Sequence, residues 1–301
     1  MLLGELSGLI AALCWTSTSL MAPGLIKHFG TTRFNVIRIS IASVILITVC
    51  LIQQRFDPTL WDYALPLALS GFIGIFLGDT MLFNAVHRLG PRRAGVIFAT
   101  NAPVSILLSW LFLSETLSFL ELVACAIVLL GVVVSILFGK RGSAHEWEQT
   151  KGRLWVGIFL AFGGAVGQAS GALLAKPALL AGADPFAVSA FRVTVGATAL
   201  LLVFLAYYRP RLSPELSPLK AIPIQYFFKL AGMATIGMVL GMSILVWGIG
   251  NANVGIVMTL SATVPVLVLP GLWLTTKIRP AFGAWMGALL VVIGSAIIIF
   301  D

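Results

Sequence analysis

The sequence predicts an all-α integral membrane protein of ten transmembrane helices, arranged as two five-helix repeats of opposite orientation. Three observations lead there: the composition, the length of the apolar runs, and residue patterns that recur in the second half. Of the 301 residues, 59% are hydrophobic and 10% are charged, and the mean hydropathy is +1.04. A soluble domain carries about 25% charged residues. This chain has too little polar surface to cover a water-facing globule.

Apolar runs occupy residues 5–26, 34–52, 63–87, 92–113, 117–138, 153–174, 186–207, 223–249, 253–275 and 281–300. A helix needs roughly 20 apolar residues to cross a hydrocarbon core about 30 Å thick. The runs show no strict alternation of polar and apolar residues, which a membrane β-barrel strand requires. No basic stretch precedes the first run, so it reads as a retained helix and not as a signal peptide. Cys14, Cys50 and Cys125 all fall inside apolar runs without a CxxC neighbour and read as small buried hydrophobes.

The net charge of +8 resides in short loops and gives no reason to expect nucleic acid as a partner. Fifteen basic residues share one side: Lys27, Arg33, Arg88, Arg92, Arg93, Lys140, Arg141, Lys151, Arg153, Arg209, Arg211, Lys220, Lys229, Lys277 and Arg279. Arg55 and Lys176 fall on the other, and Arg38 and Arg192 lie inside helices. The positive-inside rule assigns the fifteen to the cytoplasm and both termini to the outside. The expected location is a bacterial inner (plasma) membrane.

The halves superimpose by sequence. Pro23 precedes Arg38 by 15 residues (PGLIKHFGTTRFNVIR), as Pro177 precedes Arg192 (PALLAGADPFAVSAFR). Pro103 precedes Glu115 by 12 (PVSILLSWLFLSE), as Pro265 precedes Lys277 (PVLVLPGLWLTTK). Late glycines, Gly131 and Gly294, mark the last helix of each half. The longer loop near 208–222 absorbs the difference in offset. We place the first repeat at 1–139, a connecting loop at 140–152 and the second repeat at 153–301. An odd number of helices per half inverts the second half, and basic loops in both halves then share one face. Inverted repeats are characteristic of secondary transporters, with a substrate site near the midplane. A monomer holding both halves suffices for a pathway, and an oligomer is not required.

These residues also carry a family resemblance. A tryptophan ends the small-residue stretch AALCW at Trp15, and an arginine lies early in helices 2 and 7. Helix 3 reads LGDTMLFNAVHRLGPRRAGVI, and helix 4 has Pro103 followed by Glu115-Thr-Leu. Together with five-plus-five helices, the chain resembles the drug/metabolite transporter superfamily in its ten-helix EamA-type form. The resemblance covers essentially the whole chain. It implies a carrier of small metabolites, with efflux of amino acids or related compounds favoured. It also implies cytoplasmic termini, from which the charge count departs. Lys277 stands where the family usually carries an acidic residue.

Ionisable groups within the bilayer cost at least about 2.5–3.5 kcal/mol and usually face a cavity or a partner. Asp79 is the acidic residue well inside a helix. It is the candidate for proton coupling or cation binding, or else a structural partner of Arg38 or His87. Asn101, two residues before Pro103, suits substrate recognition or interhelical bonding; its second-half counterpart is Thr263. Trp15, Asn84 and Gln168 are further candidates for a cavity lining, with core packing the alternative for Trp15. Arg38 and Arg192 either snorkel, contact an anionic group or form gating pairs. Gly163, Gly167 and Gly171, Gly237 and Gly241, and Gly283 and Gly287 are spaced for close helix approach.

Enzymatic readings find little support. Leu77-Gly78-Asp79 resembles the intramembrane aspartyl protease motif GxGD, but Phe76 replaces its first glycine and no second mid-helix Asp follows. HExxH, Walker and DDxxD motifs are absent, and His28, His87 and His145 are scattered. We expect no enzyme, no metal and no cofactor. A flippase for lipid-linked substrates is the alternative on the same fold.

Overall fold

The computed structural model describes residues 2–89, 91–138, 153–208, 222–276 and 281–300. The connecting loop 140–152, most of the loop near 208–222, and Lys277 lie outside them. Ten long helical runs account for nearly all of the described residues, among which there is no strand. We number them α1 (Leu2–Phe29), α2 (Thr31–Ile52), α3 (Ala64–Ser70, Gly71–Leu77 and Gly78–Leu89), α4 (Pro91–Phe98 and Asn101–Leu113) and α5 (Phe119–Phe138). The second half gives α6 (Leu154–Leu180), α7 (Pro185–Val203 and Phe204–Tyr208), α8 (Ile224–Ala234, Thr235–Gly241 and Met242–Asn251), α9 (Val254–Ser261 and Val264–Thr276) and α10 (Phe282–Phe300).

Nine spans among the described residues are long and apolar enough to cross a membrane. The remaining long helix, α1, has 28 residues and packs against α8 and α9. The exterior is apolar, as a lipid-facing surface requires: Ile52, Phe112, Phe119 and Phe228 are all exposed. Helix α6 runs six residues past the apolar stretch read from the sequence. It continues through Pro177 to Leu180, so Lys176 is a buried helical residue and not a loop residue. Proline removes one ladder bond, but neighbouring helices can re-satisfy the freed carbonyl in a membrane bundle.

Both halves interrupt the same helices at equivalent places. α4 breaks between Phe98 and Asn101, and α9 between Ser261 and Val264. Pro103 and Pro265 follow each break and supply no N–H to the preceding turn. Ala102 N–H bonds Ala99 O at 3.3 Å instead, and Val266 N–H bonds Thr263 O at 2.9 Å. α3 and α8 each contain a seven-residue π-helical segment, Gly71–Leu77 and Thr235–Gly241. Such wide turns are rare and often occur at functional sites.

Glycines let these segments approach their neighbours. A Cβ on Gly71 would strike the Arg192 carbonyl of α7, and one on Gly74 would lie 3.1 Å from Gly171 Cα on α6. The equivalent contacts in the other half run between α8 and α1. A Cβ on Gly237 would lie 2.8 Å from Thr18 Cγ2, and one on Gly241 3.1 Å from Cys14 Cβ. Thus α3 rests on α6 as α8 rests on α1. The last helices of the two halves, α5 and α10, form a third glycine seam. There a Cβ on Gly131 would meet Gly287 O at 2.7 Å, and one on Gly294 would meet Ala124 O at 2.8 Å.

Backbone lies on both sides of the α5–α10 seam, so an added side chain cannot be accommodated by a rotamer change. We expect Gly287→Val to lower the stability of the detergent-solubilised protein by roughly 1–3 kcal/mol, the usual cost of overpacking. Gly24→Ala, where nothing lies within 4 Å of the new Cβ, should leave the melting temperature unchanged or slightly raised. Equal effects from the two substitutions would contradict the seam.

Candidate functional site: a cavity between the halves

A cavity of ≈ 300 Å³ lies between the two halves. Its walls come from the second half of α1 (Trp15, Thr18, Ser19), the start of α2 (Arg38), α3 (Ile75, Asp79, Leu82, Phe83, Val86) and the first part of α4 (Gly95, Phe98, Ala99, Asn101). The second repeat adds Gln168 from α6, Met238 and Met242 from α8, and Met258, Ser261, Ala262 and Val264 from α9. These stretches run from mid-bundle toward the face that carries the basic loops.

On α3, Ile75, Asp79, Leu82, Phe83 and Val86 recur at helical spacing and form one stripe. Asp79 Oδ2 lies 3.5 Å from Arg38 Nη2, with the side chains 25% and 13% exposed. Arg38 Nη2 also donates to Asn35 Oδ1 at 2.8 Å. The guanidinium sits near the Phe34 and Phe83 rings, 5.8 and 5.9 Å from their centroids, at distances where a ring face attracts a cation. Arg38 therefore does not snorkel: carboxylate, amide and rings hold it at the cavity wall. The pairing foreseen for Asp79 and its place in the cavity coexist. The side chain of His87, the other suggested partner, lies outside the described residues.

Five of the seven residues singled out in the sequence share this cavity: Trp15, Arg38, Asp79, Asn101 and Gln168. Trp15 Nε1 donates to Gly237 O in the π segment of α8 at 2.9 Å, so its ring is a fixed wall joining the two halves. Asn101 is 4% exposed, and its Oδ1 has no hydrogen-bond partner. An unpaired buried acceptor is costly, and a ligand donor would satisfy it. Asn84 does not join the cavity. It is exposed, and its amide donates to Thr80 O on its own helix at 2.7 Å. Five residues beyond Asp79, it falls off the cavity stripe. Arg192 neither snorkels nor lines the cavity. It is 4% exposed, packed against the Gly71–Gly74 stretch of α3.

The face opposite the basic loops is closed by ionic contacts that join different helices. Lys176 Nζ on α6 lies 3.1 Å from Glu115 Oε1 at the end of α4 and donates to Ala252 O at 2.6 Å. Glu115 Oε2 in turn accepts from Val254 N–H, at the first turn of α9, at 2.9 Å. Nearby, Arg55 Nη1 bonds Asp184 Oδ2 at 2.7 Å, linking the α2–α3 and α6–α7 connections. Sequence reading missed the Lys176–Glu115 pair because helix α6 was ended too early. It also missed the methionine wall, whose residues look like ordinary core.

The chain matches the EamA-like transporter family twice, over residues 2–137 and 155–300. A solved structure described only as "Crystal structure of protein" is 20% identical, with a TM-score of 0.74 over 98% of this chain and 96% of that one. That is a likeness of fold. No curated protein matches the chain in sequence. With both halves matched, the chain belongs to the EamA-like transporter family, within the drug/metabolite transporter superfamily.

Proposed function

We propose that the protein is a secondary transporter that exports small amphipathic metabolites, amino acids or related compounds, by alternating access. The observation that carries this reading is the ≈ 300 Å³ cavity between inverted halves, with the Arg38–Asp79 pair in its wall. Its volume is at the lower end for small-molecule sites. One part of the lining is apolar and polarizable, with Met238, Met242, Met258, Trp15 and Phe98; the other offers Asp79, Arg38, Asn101 and Gln168. Such a lining suits a molecule with a charged or polar end and an apolar end.

Asp79 is the coupling residue in this reading. A carboxylate that exchanges a proton, or accepts a substrate cation, changes its hold on Arg38 and so the balance of the two halves. Trp15, Asn101 and Gln168 contact the substrate. The basic face is cytoplasmic by the positive-inside rule, so the cavity described here loads from the cytoplasm, as export requires. Both termini then lie outside. The Lys176–Glu115 pair is the closed gate on the outer side. A lipid-linked substrate would need a lateral path. The apolar groove between α4 and α5 (≈ 480 Å³) shares no residue with the central cavity, which favours the soluble-metabolite reading over a flippase.

In proteoliposomes with an imposed proton gradient and a pooled set of amino acids and small metabolites, mass spectrometry should detect selective, gradient-dependent uptake. Asp79→Asn should remove the gradient-driven component of uptake, with the melting curve retained. Uptake unchanged by Asp79→Asn would reduce Asp79 to a structural role. At the gate, Lys176→Met leaves the Glu115 carboxylate buried without its cation and should cost about 3–5 kcal/mol. Lys176→Met combined with Glu115→Gln should recover much of that loss. A double variant as unstable as the single one in thermal unfolding would contradict the pair.

A further inference from the structure

The two transmembrane arginines are related by the repeat, yet their surroundings differ. Arg38 and Arg192 occupy equivalent places in α2 and α7, 154 residues apart. Gly74 and Gly78 of α3 correspond to Gly237 and Gly241 of α8 at an offset of 163. The same offset carries Ile75 to Met238 and Asp79 to Met242, and all four line the cavity. Where the first half supplies a carboxylate to its arginine, the second half supplies a methionine. No ion pair of Arg192 is found among the described residues, and its Nε and Nη1 have no hydrogen-bond acceptor. Ser189, one turn earlier on the same helix, is fully buried with its hydroxyl also unpaired.

Several of the remaining cavity positions have repeat images too. Trp15 and Thr18 map to Ala169 and Ala172, Phe83 and Val86 to Val246 and Ile249, and Phe98 to Leu260. All five image residues are at most 2% exposed. Ala172, Val246 and Ile249 pack in one buried cluster with Val188 and Val193, neighbours of Arg192 on α7, so this part of the cavity's image is packed core. Exchange of conformation between inverted halves would open that core and close the present cavity. Ile75, Asp79, Met238 and Met242 would line both cavities, while Arg192 would replace Arg38.

We propose that Arg192 is the oxyanion-binding group of the opposite-facing conformation, which takes the carboxylate or phosphate end of a ligand reaching it from the face closed by Lys176 and Glu115. The inference rests on the alternating-access reading above. Its physical basis is that a buried guanidinium without a counter-charge is costly, and its planar fork matches a carboxylate or phosphate in two-point contact. On the basic side Asp79 already pairs with Arg38, whereas no carboxylate pairs with Arg192 among the described residues. A ligand held by Arg192 on one side would meet Asp79 competing for Arg38 on the other.

The test uses the full chain with Cys14, Cys50 and Cys125 replaced by alanine, in oriented proteoliposomes. Val246→Cys is treated from the closed face with membrane-impermeant methanethiosulfonates, one carrying a sulfonate and one a trimethylammonium. The sulfonate should react about tenfold faster, the low end of electrostatic focusing in a cleft. The preference should vanish in Arg192→Gln and persist in Arg192→Lys. Sodium acetate and inorganic phosphate, compared at equal ionic strength, should each slow the reaction if they occupy the site, and their order identifies the preferred oxyanion. Ser261→Cys, labelled from the basic face, reports the present cavity. A reactive Val246→Cys without a sulfonate preference overturns this inference alone, as does a sulfonate preference that survives Arg192→Gln. Unreactive Ser261→Cys, or Val246→Cys unreactive from the closed face, overturns the alternating-access reading itself.

Discussion

A carboxylate inside a membrane bundle must have its charge answered, and Asp79 is answered by Arg38 across 3.5 Å at the cavity wall. Much of the architecture serves that contact. Arg38 is itself steadied by Asn35 and two phenylalanine rings, which keeps the guanidinium at the wall instead of at the interface. α3 brings Asp79 inward because the glycine-rich segment just before it lies directly on α6 and α7. The pair is partly exposed to the cavity, so its desolvation cost is smaller than that of a fully buried pair. A fully buried pair would be harder to break, because removing one partner strands a charge.

The second constraint is that closely packed helices must keep their backbone polar groups away from lipid. The seams of α3 with α6, and of α8 with α1, are made of glycine and small side chains around π-helical turns. The breaks of α4 and α9 lie at matching positions before Pro103 and Pro265. These irregular stretches lie around the cavity and are paired by the repeat, whereas a third π-helical segment, Phe204–Tyr208 at the end of α7, lies apart from it. The third seam, between α5 and α10, lies away from the cavity and ties the two halves together. The charged contacts at the closed face do the opposite work: Lys176, Glu115, Arg55 and Asp184 hold helices that the cavity separates.

Much of this was legible in the sequence. The ten long helices follow from apolar run length alone, nine of them meeting the length and composition of a membrane span, and the inverted repeat follows from the Pro–Arg and Pro–Glu/Lys spacings. Five residues that now share one cavity were singled out because polar or aromatic groups mid-span need a reason to be there. Asn84 met the same criterion but faces outward, since its side of the helix depends on rotation that α3's polar pattern does not fix. The Lys176–Glu115 contact joins residues 61 positions apart on different helices, which no periodicity encodes, and the apolar run of α6 stops short of Lys176. The π segments have no signature beyond glycines that also serve ordinary close packing. The lone state of Arg192 required knowing that its partner position, Met242, points into the shared cavity.

In the proposed alternation the present cavity opens to the basic face and its repeat image to the opposite face, which Lys176 and Glu115 now close. Met242 lines the present cavity and its repeat image, so Met242→Cys reports both. In the cysteine-replaced chain it should react with impermeant reagents from either face. When Lys176→Cys and Glu115→Cys are bridged by a short bismaleimide before Met242→Cys is probed in a reversibly protected form, reaction from the closed face should cease and reaction from the basic face should continue. Reaction from both faces with the gate bridged, or from neither face without it, would contradict the account.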